Sequence, residues 1–124
     1  MNIFLIFLGS GIGGITRFGI ANLIYFLFGR QFPLGTLIVN ISGSFLMGLL
    51  FVLILDRAHQ IAPQLRAFLL IGFLGGYTTF SSFSIETLNL FENGAWLSAM
   101  LNIILSVALC LIATLIGVIL GREI

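Results

Sequence analysis

Apolar residues crowd into four long stretches of the chain, and polar positions gather in the short gaps between them. The first stretch runs from about Ile3 to Phe28 and closes at "GRQFP". Pro33 is placed to open the second, which continues to about Leu55, because proline suits the first helical turn. "DRAHQIAPQ" is the most polar segment and reads as a loop, with His59 solvated in it. The third stretch extends from about Gln64 to Phe91, "ENG" makes a turn, and the fourth runs from about Ala95 to Leu120 ahead of "GREI". A membrane-crossing helix needs about 20 mostly apolar residues. Each stretch meets that length, so the pattern predicts an all-α integral membrane protein with four transmembrane helices in one domain, residues 1–124.

Composition sharpens this picture. Sixty per cent of the residues are hydrophobic and only 7% are charged, against about 25% charged in a soluble domain. Too few polar groups exist to cover a water-facing surface, so lipid is the expected solvent. A net charge of +1 gives no electrostatic case for nucleic acid. The single cysteine, Cys110, cannot form an internal disulfide. Met1 to Thr16 carries no Lys or Arg ahead of its apolar run and no small-residue cleavage site follows, so it reads as a retained first helix. Four spans put Arg57, Arg66 and Arg122 on one side and Arg30 on the other. That bias is weak by the positive-inside rule and fits either a fixed orientation or insertion both ways. There are no paired carboxylates, no Ser/His/Asp set, no metal-ligand cluster and no phosphate loop, so an enzyme is not expected.

Several intramembrane features bear on chemistry. Small residues recur at spacing four in Gly9/Gly13, Ser10/Gly14, Ser44/Gly48, Gly72/Gly76 and Gly117/Gly121, a spacing that lets helix backbones approach in lipid. The third stretch, as one straight helix, would rise about 40 Å, beyond a hydrocarbon core of about 30 Å. Gly75-Gly76 followed by Tyr77-Thr78-Thr79 offers a break near residues 75–79, and an intact, tilted helix is the alternative. A break would free carbonyls able to hold a cation. Phe80 and Phe83 share a helix face three residues apart, and their positive ring edges suit an anion as well as ordinary core contact. Thr36, Asn40 and Gly43 share a face of the second helix. Asn40 either bridges helices or donates to an anion. Ser98, Asn102, Ser106, Cys110 and Thr114 repeat every four residues along the fourth helix and form a slowly spiralling polar stripe. Arg17 lies deep in the first span, where a charge is functional by default unless it snorkels.

"GGITRF", "PLGTLIVNISGSFLMG" and "GFLGGYTTFSSFSIE", in this order on a four-helix chain, resemble the Fluc (CrcB) family of fluoride channels over nearly the whole length. The resemblance implies an antiparallel, dual-topology homodimer in the bacterial cytoplasmic (inner) membrane, the third helix broken near its middle. Two passive fluoride pathways would run along the dimer interface and export the ion. Phe80 and Phe83 resemble the family's pore phenylalanines, Asn40 its pore asparagine and Arg17 its vestibule arginine. Ser81, Ser84, Thr36, Ser106 and Asn102 stand as polar lining. Gly75 and Thr78 resemble the residues whose backbone carbonyls, from both subunits, hold a structural sodium ion. Departures are Asn102, where the family often has Tyr or another polar residue, and Cys110, where it has Ser. The competing functions are a proton-coupled exporter of the small multidrug resistance kind and a non-conducting subunit of a membrane assembly. The exporters depend on a carboxylate in the first helix, and this chain has none there.

Overall fold

The computed structural model describes residues 2–57 and 62–124, so His59 and the centre of its loop lie outside the described residues. Every element among the described residues is helical. Helix α1 (Asn2–Phe28) ends where Gly29 adopts φ 86° and donates its N–H to the Tyr25 carbonyl at 2.8 Å, a left-handed stop suited to glycine. Helix α2 (Leu34–Arg57) starts directly after Pro33, whose carbonyl accepts from the Leu37 N–H at 3.2 Å. The third span comprises α3 (Ala62–Leu65), a wide-turned π-helical segment (Arg66–Leu74), α4 (Gly75–Tyr77) and α5 (Phe80–Glu92). Gly94, at φ 82°, turns the chain into α6 (Trp96–Glu123), and the Trp96 ring meets Phe91 edge-on at 5.0 Å.

Four helical spans are long and apolar enough to cross a membrane: Asn2–Phe28, Leu34–Asp56, Ala62–Glu92 and Trp96–Glu123. Large apolar side chains such as Phe7, Ile15, Phe26 and Leu97 point outward. In water that surface would be untenable; in hydrocarbon it costs nothing. The chain is therefore a multi-pass membrane protein.

Helix α2 is the one element that touches every other among the described residues. Its most extensive contact is with α6, and α1 packs chiefly on the π-helical segment. Apolar side chains gain little by leaving lipid for protein, so association rests on close packing. Glycine supplies it at both crossings. A Cβ on Gly13 would overlap the Phe73 carbonyl, and one on Gly117 would overlap the Phe45 carbonyl. Gly14, paired with Ser10 by spacing, instead has open space where a Cβ would stand. A compact core of Val39, Ile54, Leu70, Leu74 and Tyr77 lies between α2 and the third span.

Candidate functional site

The third span departs from helical geometry at two residues. Thr78 has φ −83° and ψ 157°, and Thr79 has φ −151° and ψ 118°. The glycines ahead of them stay helical, Gly75 at φ −62° and ψ −37°. Two extended residues at membrane depth release backbone groups that must find partners inside the protein. Asn40 takes both groups of Thr79. Its Oδ1 accepts from the Thr79 N–H at 2.8 Å, and its Nδ2 donates to the Thr79 carbonyl at 2.9 Å. The side-chain amide thus acts as a one-residue strand partner. Thr79 Oγ1 accepts from the Ser82 N–H at 3.2 Å and caps α5. Arg17 donates from Nε to the Gly76 carbonyl at 3.2 Å.

These pairings decide which carbonyls stay free. In an unbroken helix Thr79 N–H would bond to the Gly75 carbonyl and Ser82 N–H to that of Thr78. Asn40 has claimed the first donor and the Thr79 hydroxyl the second. Gly75 is exposed, and the space beside its Cα is open to 3.8 Å from the Leu70 carbonyl. Carbonyls at Gly75 and Thr78 that lack their helical donors would be hard, neutral oxygen donors of the kind an alkali cation takes. No cluster of three or more His, Cys, Asp or Glu that could hold a metal occurs among the described residues.

A groove of about 400 Å³ opens beside the interruption. Asn40, Thr78 and Thr79 form one wall, Phe80 and Phe83 another, and Ser106, Cys110 and Thr114 a third. The two phenylalanine rings lie 5.3 Å apart and tilted by 46°. Phe80 is 77% exposed. A second, more polar cavity of about 150 Å³ lies on the other side of Thr79. Arg17, Asn22, Tyr25, Thr36, Ser82 and Glu86 line it. Glu86 Oε2 accepts from Thr36 Oγ1 at 3.0 Å and from the Tyr25 hydroxyl at 3.4 Å, while its Oε1 is buried without a partner among the described residues. The Arg30 guanidinium lies 4.8 Å over the Tyr25 ring and donates to Asn22 Oδ1 at 3.3 Å.

The sequence-predicted residues therefore divide. Asn40, Phe80, Phe83, Ser106 and Thr78 surround the groove, while Arg17 and Thr36 belong to the polar cavity. Ser81 and Ser84 are exposed outside both, with their hydroxyls on Thr79 Oγ1 at 3.3 Å and the Phe80 carbonyl at 3.0 Å. Asn102 is 2% exposed and shut between α5 and α6. Its Nδ2 donates to Thr87 Oγ1 at 2.8 Å, and its Oδ1 accepts from Ser106 at 3.4 Å. A spacing of four advances the stripe by about 40° each step, enough to turn Asn102 inward while Ser106, Cys110 and Thr114 reach the groove. Tyr25, Ser82 and Glu86 were absent from the expected set. Glu86 carried a signal, since an ionisable residue inside a span marks a site by default. Tyr25 carried none, because only the tertiary fold brings it to Thr36 and Glu86.

Comparison with known proteins bears on this geometry. The model of the family described as "CrcB-like protein, Camphor Resistance (CrcB)" matches residues 4–118. A protein of Coxiella burnetii (strain Dugway 5J108-111) named "Fluoride-specific ion channel FluC" is 60% identical over 123 residues, covering 99% of both chains. A protein of the same name from Magnetococcus marinus is 47% identical over 98% of both. One from Shewanella woodyi is 46% identical over 94% of this chain and 92% of its own. A family match over residues 4–118, which include all of those that build the interruption, the groove and the polar cavity, means that this chain belongs to the CrcB-like family.

Proposed function

We propose that this chain is a passive, fluoride-selective ion channel that exports fluoride across the bacterial cytoplasmic (inner) membrane as an antiparallel, dual-topology homodimer with two pathways. The observation that carries the reading is full-length identity of 60% with a protein named for fluoride-specific conduction. The groove beside Asn40 supports that reading. Fluoride is small and strongly hydrated, so a pathway must replace its water and still release it. Conduction needs binding that is favourable but weak and spread over several positions. The groove offers a neutral donor in the second Nδ2 proton of Asn40, with the rings of Phe80 and Phe83 beside it and Ser106 on the facing wall. Neither Lys nor Arg lines it, so no charge is present there to trap the anion. Arg17 lines the adjoining polar cavity together with Glu86 and would be the cationic member of that mouth.

The broken third span belongs to the same reading. Groove and interruption both open outward, with Phe80 exposed beside them. A second, inverted copy would cover them and bring a second pair of Gly75 and Thr78 carbonyls to the two-fold axis. Four carbonyls from two chains suit sodium, which would supply a fixed positive centre that holds the two interruptions together.

The test is flux from proteoliposomes. Purified protein should release loaded fluoride when the membrane potential is shunted and should retain chloride. Release no faster than from protein-free liposomes would overturn the reading.

A further inference from the structure

Three consecutive residues at the interruption are each gripped by one turn of α2. Thr79 pairs through its backbone with Asn40. Thr78 lays its Cγ2 against Gly43, where any Cβ would overlap it. Tyr77, the last residue of α4, brings its hydroxyl to 2.9 Å from Ser42 Oγ. Its ring is 5% exposed and stacks on Phe73 at 5.8 Å with 7° between the planes.

The direction of the Tyr77–Ser42 bond follows from counting protons. Ser42 has one hydroxyl proton and donates it to the Val39 carbonyl at 3.1 Å. Ser42 Oγ therefore accepts from the Tyr77 O–H. A relay runs from Tyr77 through Ser42 to the backbone of Val39, a fully buried core residue. Packing needs only the ring; the hydroxyl adds orientation. It sits at the end of a long, rigid lever, so a small rotation of α4 about its own axis would break the bond.

Tyr77 lies between Gly75 and Thr78, the two residues whose carbonyls have lost their helical donors. We propose that Tyr77 is a positioning residue: its hydroxyl, held by Ser42, sets the rotation of α4 on α2 and so aims the Gly75 and Thr78 carbonyls, without touching an ion itself. The inference rests on the reading that those carbonyls hold sodium.

The test uses full-length protein carrying Tyr77→Phe, Ser42→Ala or both. Tyr77→Phe keeps the ring, so the core stays filled. Fluoride flux is measured over a sodium series, and amide hydrogen exchange of the segment 75–80 is measured on the same samples. Losing one hydrogen bond should raise the sodium needed for half-maximal flux roughly threefold to tenfold. The double variant should shift no further than either single one, because all three remove the same bond. In a channel that needs sodium, unchanged half-saturation in both single variants overturns the proposal. Additive shifts in the double variant overturn it as well, since the two hydroxyls would then act separately. If wild-type flux is indifferent to sodium, the cation reading fails instead, and exchange judges the positioning. Faster exchange confined to segment 75–80 in both variants then supports it, and wild-type exchange there overturns it.

Discussion

Replacing Asn40 by alanine removes two hydrogen bonds at once, and both belong to the backbone of Thr79. Interhelical hydrogen bonds in membranes average about 0.6 kcal/mol, which sets a floor of about 1.2 kcal/mol for the pair. That average reflects side chains that find other partners when the bond is lost. Thr79 is held extended, at φ −151° and ψ 118°, so its N–H and carbonyl have no local substitute unless the span straightens. An unsatisfied buried group costs about 1–3 kcal/mol, which gives about 2–6 kcal/mol for two. The higher range should apply to Asn40→Ala. Asn40→Asp should be no milder: its carboxylate still accepts from the Thr79 N–H, but it puts a charge at membrane depth with one oxygen against the Thr79 carbonyl, so it should cost at least as much as alanine. Equilibrium unfolding in mixed detergent micelles measures both variants against wild type. An Asn40→Ala protein within about 0.5 kcal/mol of wild type, the range of an inconsequential surface change, would refute the account of Asn40 as the clamp of the interruption.

Phe80→Ile and Phe83→Ile keep apolar bulk but delete the ring edges on the groove; each should cut fluoride release from liposomes by roughly tenfold or more, the loss of about 1.4 kcal/mol, and wild-type flux in both would return the rings to packing. Gly13→Ala and Gly117→Ala drive a methyl into the Phe73 and Phe45 carbonyls, so each should destabilise the fold by about 1–3 kcal/mol, and normal unfolding midpoints would show that the helices cross less closely. Cys110, the chain's single cysteine, lies on the groove wall; a small thiosulfonate reagent should block flux in the native protein and leave a Cys110→Ser protein unaffected, and equal flux before and after labelling would remove Cys110 from the route.

The helical class and the four apolar spans were legible because lipid imposes a simple rule. A spanning segment must satisfy its own backbone and must be apolar for about 20 residues, and both properties are local. The small-residue pairs were legible for the same reason, though their use was not. Gly13 and Gly117 lie against backbone, whereas Gly14 faces open space, and a spacing of four does not say which side of a helix meets a neighbour. The polar stripe of α6 shows the same limit. Its regular spacing marked Ser106 and Asn102 alike, but α5 claims Asn102 through Thr87, while Ser106 reaches the groove.

The interruption separates the two kinds of information most clearly. Sequence alone determined that the third span, if straight and untilted, exceeds the hydrocarbon core and that it carries glycine and threonine near its middle, because length and composition are properties of one segment. It left an intact helix and a broken one open, since each residue's preference for either is worth less than one tertiary contact. The tertiary structure places Thr78 and Thr79 in extended geometry and supplies partners for the groups around them. Asn40 arrives from α2 at the right depth to take both polar groups of Thr79, and Arg17 arrives from α1 to take the Gly76 carbonyl. With those donors assigned, the Thr79 and Ser82 N–H groups no longer serve the Gly75 and Thr78 carbonyls as they would in an unbroken helix. Hydrogen bonds between residues 39 or 59 positions apart leave no trace in local pattern, and in a medium without water they determine which polar atoms keep a partner.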